Sequence, residues 1–207
     1  MKNKSDEQNA GLPACDGQIL EDGKMQACSL FDYNIVLIGF MGSGKSTISG
    51  CLSQMLGMET VEMDQIISRR EGMSISEIFE VHGEEYFRNL ETGLLIEMQS
   101  KKNVIISCGG GTPMRENNVA EMKKNGRVVL LTAKPETIYE RVKDSHDRPL
   151  LEHNKNTAFI SQLMESRREK YEAAADLILE TDGKDRLAVC REMVQKLLEL
   201  DKAAAQA

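Results

Sequence analysis

Tryptophan is absent from this chain of 207 residues, and aromatic side chains make up only 4% of it. Unpaired nucleic-acid bases are held by stacking on aromatic rings, and no such platform is suggested here. A positive balance is also missing: 26 Lys and Arg stand against 33 Asp and Glu, for a net charge of -7. Duplex nucleic acid and acidic membrane surfaces both need a positive footprint, so neither is an expected partner. No apolar run reaches the length that crosses a bilayer, and the N-terminus lacks the apolar core of a secretory signal. The cysteines Cys15, Cys28, Cys51, Cys108 and Cys190 are odd in number and contain no Cys-x-x-Cys pair. They read as free thiols, and a reducing cytoplasm is the expected compartment.

The length suits one domain with a core of ordinary size. Residues 1–32 hold three Lys and six acids with no sustained period, which predicts a disordered N-terminal extension. The folded domain is expected over 33–202, with a short C-terminal tail over 203–207. Within it, apolar runs at Asn34–Gly39, Glu59–Met63, Val104–Cys108, Val128–Thr132 and Asp176–Glu180 alternate with helical patterns. Five strands with intervening helices predict an α/β fold, a parallel sheet covered on both faces. Ligands of such sheets bind beyond the carboxyl ends of the strands, so the residues that follow each strand are the ones to inspect. The polar stretch 144–156 contains one Pro and reads as a mobile surface loop.

After the first strand comes Gly39-Phe40-Met41-Gly42-Ser43-Gly44-Lys45-Ser46, followed by Ile48, Leu52, Met55 and Leu56 at helical spacing. Strand, Gly-x-x-x-x-Gly-Lys-Ser and helix in that order make a phosphate-binding P-loop. Its glycines let successive N–H groups converge on an anion at a helix N-terminus. Lys45 can reach the β- and γ-phosphates, and the Ser46 hydroxyl can sit on magnesium.

Glu62-Met63-Asp64 ends the second strand and sets two carboxylates near that loop, where they can serve Mg2+ and orient a hydroxyl. Asp64 could equally cap the helix that follows. Arg88 and Glu91 share a helix face three residues apart; spacing alone predicts an exposed pair worth a few tenths of a kcal/mol. Gly109, Gly110 and Gly111 follow the third strand, and packing gives little reason for three glycines there, so close approach by a ligand is expected. Arg148 lies in the polar loop, where it could fold over transferring phosphate. Arg167 and Arg168 by default form a solvated helix face. His82, His146 and His153 have no metal-ligand spacing. No Asn-Lys-x-Asp follows the P-loop, so guanine recognition is disfavoured.

The ordered set of P-loop, Asp64, Phe87-Arg88 with Glu91, the triple glycine, Arg148-Pro149-Leu150-Leu151, and Arg167 four residues before Tyr171 resembles the shikimate kinases. The resemblance implies a P-loop kinase fold of three α/β/α layers around a five-stranded parallel sheet. It implies transfer of the γ-phosphoryl of ATP to the 3-hydroxyl of shikimate, with ATP and Mg2+ as cofactors, by a monomer with no nucleic-acid or membrane partner. By resemblance, Gly42, Ser43, Gly44, Lys45, Ser46 and Thr47 hold ATP together with Arg141 and Arg148. Asp64, Lys45 and Arg148 would be catalytic. Asp64, Arg88, Gly109, Gly110, Gly111 and Arg167 would bind shikimate, within a substrate segment over 64–98 and beneath a lid over 144–156. Ser46, and Glu62 through a water, would serve the metal. Three positions depart from the family pattern: Glu62 stands for an Asp, Cys108 for a Thr, and Glu169-Lys170 for Pro-Leu. The rival readings are a gluconate- or nucleotide-type P-loop kinase and a non-catalytic ligand sensor; a sensor would be expected to have lost Lys45 or Asp64.

Overall fold

The computed structural model describes residues 30–143 and 156–206. Five strands form one sheet: β1 Asn34–Ile38, β2 Glu59–Glu62, β3 Val104–Ser107, β4 Gly126–Thr132 and β5 Leu177–Glu180. They are ordered β2-β3-β1-β4-β5, and every pair is parallel. The helices are α1 Lys45–Leu56, α2 Met63–Glu71, α3 Ile75–Met98, α4 Glu116–Lys124, α5 Pro135–Val142, α6 Thr157–Ala174 and α7 Arg186–Ala204.

All of β1 is buried, because a central parallel strand is covered on both faces. Its side chains alternate. Val36 and Ile38 join one core with Phe87 and Leu94 of α3, Met122 of α4 and Ala174 of α6. Ile35 and Leu37 point the other way, the side that carries buried Ile48 and Leu52 of α1 and Val189, Met193 and Leu197 of α7. Each such side chain contributes about 1.5–3 kcal/mol through burial. The result is the expected three-layer α/β/α arrangement.

Strand ends differ from expectation by one or two residues, each for a local reason. Gly39 leaves β1 with φ 144, and Met63 turns into α2 instead of extending β2. Gly126 and Arg127 join β4 by pairing with Asn34 and Ile35. Asp176 stays out of β5 and accepts a hydrogen bond from Val128 N at 2.8 Å. α3 is interrupted at Gly83, whose φ 83 and ψ 167 are not helical.

The folded unit begins before residue 33. Phe31 is only 2% exposed and its ring lies 5.2 Å from that of Tyr33, whose hydroxyl donates to Asp201 of α7 at 2.7 Å. The expected extension over most of 1–32, the lid 144–156 except for Asn156, and Arg148 lie outside the described residues.

Candidate active site

Backbone geometry makes the phosphate loop. Gly39, Gly42 and Gly44 all have positive φ, at 144, 77 and 100. Space is short as well as conformation: a Cβ on Gly42 would come within 2.7 Å of Val142 Cγ1. The Lys45 ammonium donates back to Gly39 O at 2.8 Å and Phe40 O at 3.1 Å, which holds it over the loop. No acid lies in the first turn of α1, so the positive end of that helix and Lys45 together favour an anion. On the outer side, Arg141 of α5 donates to Gly42 O at 3.1 Å and to Thr181 Oγ1 at 3.3 Å. Thr181 also lies 3.2 Å from Ser43 O, so the residue after β5 ties Arg141 to the loop.

Across the loop, Glu62 at the end of β2 accepts from the Ser46 hydroxyl at 2.8 Å and from the Ser49 hydroxyl. The longer carboxylate thus reaches Ser46 directly. Asp64 is one residue into α2, in the first turn, where a carboxylate is favoured by the helix field. Lys45, Ser46, Thr47, Glu62, Asp64, Gly110 and Arg141 line a common cavity of about 680 Å³. Ser46, Glu62 and Asp64 offer the hard oxygen donors that Mg2+ takes. Among the described residues no group of three or more Asp, Glu, His or Cys forms a cage.

Behind the cavity the exposed pair expected at Arg88 and Glu91 is instead buried. Arg88 is 9% exposed and Glu91 0%, because α3 turns this face toward β3 and the triple glycine. Arg88 Nη1 donates to Glu91 at 2.6 Å, while Nε and Nη2 donate to Glu84 at 3.1 and 2.8 Å. The guanidinium also lies against the rings of Phe79 and Phe87, at 5.7 and 5.3 Å from their centroids. The other Glu91 oxygen accepts from the Thr112 hydroxyl. Burial pushes the Glu91 carboxyl up from its usual range, against the pull of Arg88 and Thr112.

Packing does account for two of the three glycines, contrary to expectation. A Cβ on Gly109 would overlap Glu91 and lie 2.9 Å from Asp64 Oδ1, and one on Gly111 would overlap the Arg88 guanidinium. Only Gly110 has ordinary room, with Met41 N nearest at 3.5 Å. The Tyr171 hydroxyl of α6 donates to Gly110 O. Burial pushes that hydroxyl up to about 12, with the charges of Arg167 and Arg88 opposing. Arg167 stands beside Tyr171, and its buried Nη1 has no hydrogen-bond partner among the described residues. Arg168, by contrast, is exposed and pairs with Glu165, as a solvated helix face requires. Cys108, buried beneath the glycines, is a packing residue whose thiol burial pushes up.

The family model for shikimate kinase matches residues 41–198. The chain belongs to the shikimate kinase family. A shikimate kinase of Persephonella marina is 40% identical over 164 residues, spanning 79% of this chain and 98% of that protein. A shikimate kinase of Dehalococcoides mccartyi is 41% identical over 83% of this chain and 97% of its own. Among solved structures, the shikimate kinase from Acinetobacter baumannii in complex with shikimate superposes with a TM-score of 0.74 at 33% identity. It covers 83% of this chain and 94% of that one. A gluconokinase from Sinorhizobium meliloti shares the fold at 17% identity and a TM-score of 0.55, over 86% of this chain and 98% of its own.

Measured against the resemblance, this member of the shikimate kinase family brings Lys45, Ser46, Thr47, Glu62, Asp64 and Arg141 to one cavity. It sets Arg88 and Arg167 near the glycines at its back. Sequence reasoning missed Glu84, Ser49, Thr112 and Thr181. Ser-x-x-Ser from Ser46 to Ser49 on the P-loop helix was a usable signal for Ser49. Glu84 stands four residues before Arg88 on α3, a local spacing that was also usable, whereas Thr112 and Thr181 depend on contacts between remote segments.

Proposed function

We propose that this chain transfers the γ-phosphoryl of ATP to the 3-hydroxyl of shikimate, giving 3-phosphoshikimate and ADP in aromatic amino-acid biosynthesis. The observation that carries this reading is Arg167, whose buried Nη1 lacks a hydrogen-bond partner among the described residues next to Tyr171, the side chain that donates to Gly110 O and also feels the charge of Arg88. A desolvated cationic donor of that kind calls for an anionic oxygen, and a carboxylate taken by two planar guanidinium groups meets the demand.

With the carboxylate held there, the acceptor ring would lie against Gly110 with its hydroxyl toward Asp64. Asp64 orients that hydroxyl in line and accepts its proton. Lys45, the loop N–H groups and the α1 N-terminus bind the phosphates, with Gly42, Ser43, Gly44 and Thr47 shaping the loop. Arg141 and Thr181 border the nucleotide side. Ser46 and Glu62 would hold Mg2+, which neutralises charge on the β- and γ-phosphate oxygens when bound. Arg148 would close from the lid over the transferring group, excluding water. We assign residues 33–202 to the catalytic domain and the cytoplasm as its compartment, with the monomer as the working unit. Among the described residues no helix is long and apolar enough to cross a membrane.

An ADP-release assay across shikimate, gluconate and nucleosides tests the assignment. Turnover is expected with shikimate and Mg2+, and its near-complete loss in Lys45→Ala and Asp64→Asn at an unchanged melting temperature. Turnover of gluconate or a nucleoside in place of shikimate overturns the substrate. Full activity of Lys45→Ala overturns the kinase.

A further inference from the structure

α1 packs along α7, and the contact brings two thiols together. Cys51, in the second turn of α1, is partly exposed, whereas Cys190 on α7 is fully buried. The Cys190 S–H reaches the Ile48 carbonyl oxygen at 3.8 Å, three residues before Cys51 on α1, and Cys51 is among the groups that act on the Cys190 thiol. Neither residue lines the cavity that holds Lys45 and Asp64, so phosphoryl transfer leaves the pair unused. The Cys190 sulfur thus lies against the turn of α1 that carries Cys51, on facing helices, and side-chain rotation with a small approach of the helices would bring the two sulfurs to bonding distance.

We propose that Cys51 and Cys190 are a disulfide-forming site, oxidised by a low-molecular-weight disulfide, which clamps the P-loop helix to the C-terminal helix. The accessible Cys51 thiolate attacks one sulfur of the small disulfide, forms a mixed disulfide and expels one thiolate. Cys190 then gives up its proton and attacks Cys51 Sγ, expelling the second thiolate. The protein loses two electrons and two protons, and the small disulfide leaves as two thiols. Exposure makes Cys51 the attacking group and buried Cys190 the resolving one, and burial also pushes the Cys190 thiol up. Cys108 is not a competitor, since it lies beneath the triple glycine in the core on the opposite face of the sheet.

Oxidised glutathione applied to the full chain, followed by alkylation and non-reducing peptide mapping, tests the site. The expected product is a peptide linking Cys51 to Cys190. The oxidised chain should melt several degrees higher than the reduced one, because the cross-link closes a long loop in the unfolded state. Dithiothreitol should reverse both changes, and Cys51→Ser, at a partly exposed position, should show neither. A mixed disulfide that persists on Cys51 while Cys190 remains alkylatable in denaturant overturns the proposal. Links that run to Cys15 or Cys28 instead, or a Cys51–Cys190 link without a rise in melting temperature, do the same.

Discussion

At position 88 a lysine cannot substitute for arginine, because all three guanidinium nitrogens already donate to Glu91 or Glu84 while each Nη keeps a second N–H. The remaining N–H groups are thereby aimed, and a lysine keeps the charge but loses the planar fork. Under the proposed activity, Arg88→Lys should lower kcat/KM for shikimate by roughly ten- to hundredfold, the worth of a charge-assisted hydrogen bond of about 1.5–3 kcal/mol. The Kd for ATP should stay unchanged, since the P-loop does not touch Arg88; steady-state kinetics and ATP titration check both. The glycines make a paired test. Gly111→Ala would displace the guanidinium, and a misplacement near 1 Å should cost about a hundredfold in kcat/KM. Gly110→Ala meets only ordinary contacts, so thermal melting should find its stability within about 0.5 kcal/mol of wild type. The arginine and the glycines were legible one by one in the sequence. Their interlock was not, because burial of Arg88 depends also on Gly111, which lies on a remote segment that no local spacing brings to α3.

The elements near the acceptor side depend on α3, which opens with a reciprocal cap: Glu77 N donates to Ser74 Oγ at 3.2 Å, and Ser74 N to Glu77 Oε2 at 2.7 Å. Those bonds hold the Glu77 carboxyl below its ordinary range. A carboxyl lowered on folding stabilises above its unfolded value and loses that contribution as pH falls through the folded one. Loss of the cap in Ser74→Ala should lower stability near neutrality. Chemical denaturation should show the gap to wild type narrowing as the acid range is entered. Further along α3, Gly83 sits in open space at φ 83 and ψ 167, so alanine there meets no atom and only the backbone objects. Gly83→Ala should cost on the order of 1–3 kcal/mol in the same measurement. Strand and helix periods made the sheet, the P-loop and most helices readable before any coordinates. The break at Gly83 was hidden, since a glycine inside a helical pattern is usually only a weak spot.

For the whole molecule, shikimate kinases that match 79–83% of this chain are themselves covered to 97–98%, so roughly a fifth of this chain lies outside the match. A chain beginning at Leu30 should keep its melting temperature and kcat/KM. Starting two residues later removes buried Phe31 and should lower the melting temperature, at a cost of about 3–5 kcal/mol for a lost phenylalanine. The fold class followed from alternating periods, whereas the start of the domain did not, because one buried ring leaves no periodic trace. The sheet order has one more consequence. β2 and β3 lie on one side of β1, β4 and β5 on the other. Under the proposed activity the acceptor contacts of Asp64, Arg88, Gly109, Gly110 and Gly111 therefore all fall within the block 59–114, which lends only Glu62 to the metal. The phosphate side draws on residues 39–47, Arg141 and Thr181 from both flanks of that block. In genetic terms the acceptor half, apart from Arg167, is one uninterrupted cassette. A single recombination event could exchange it and hand the same nucleotide machinery a different alcohol.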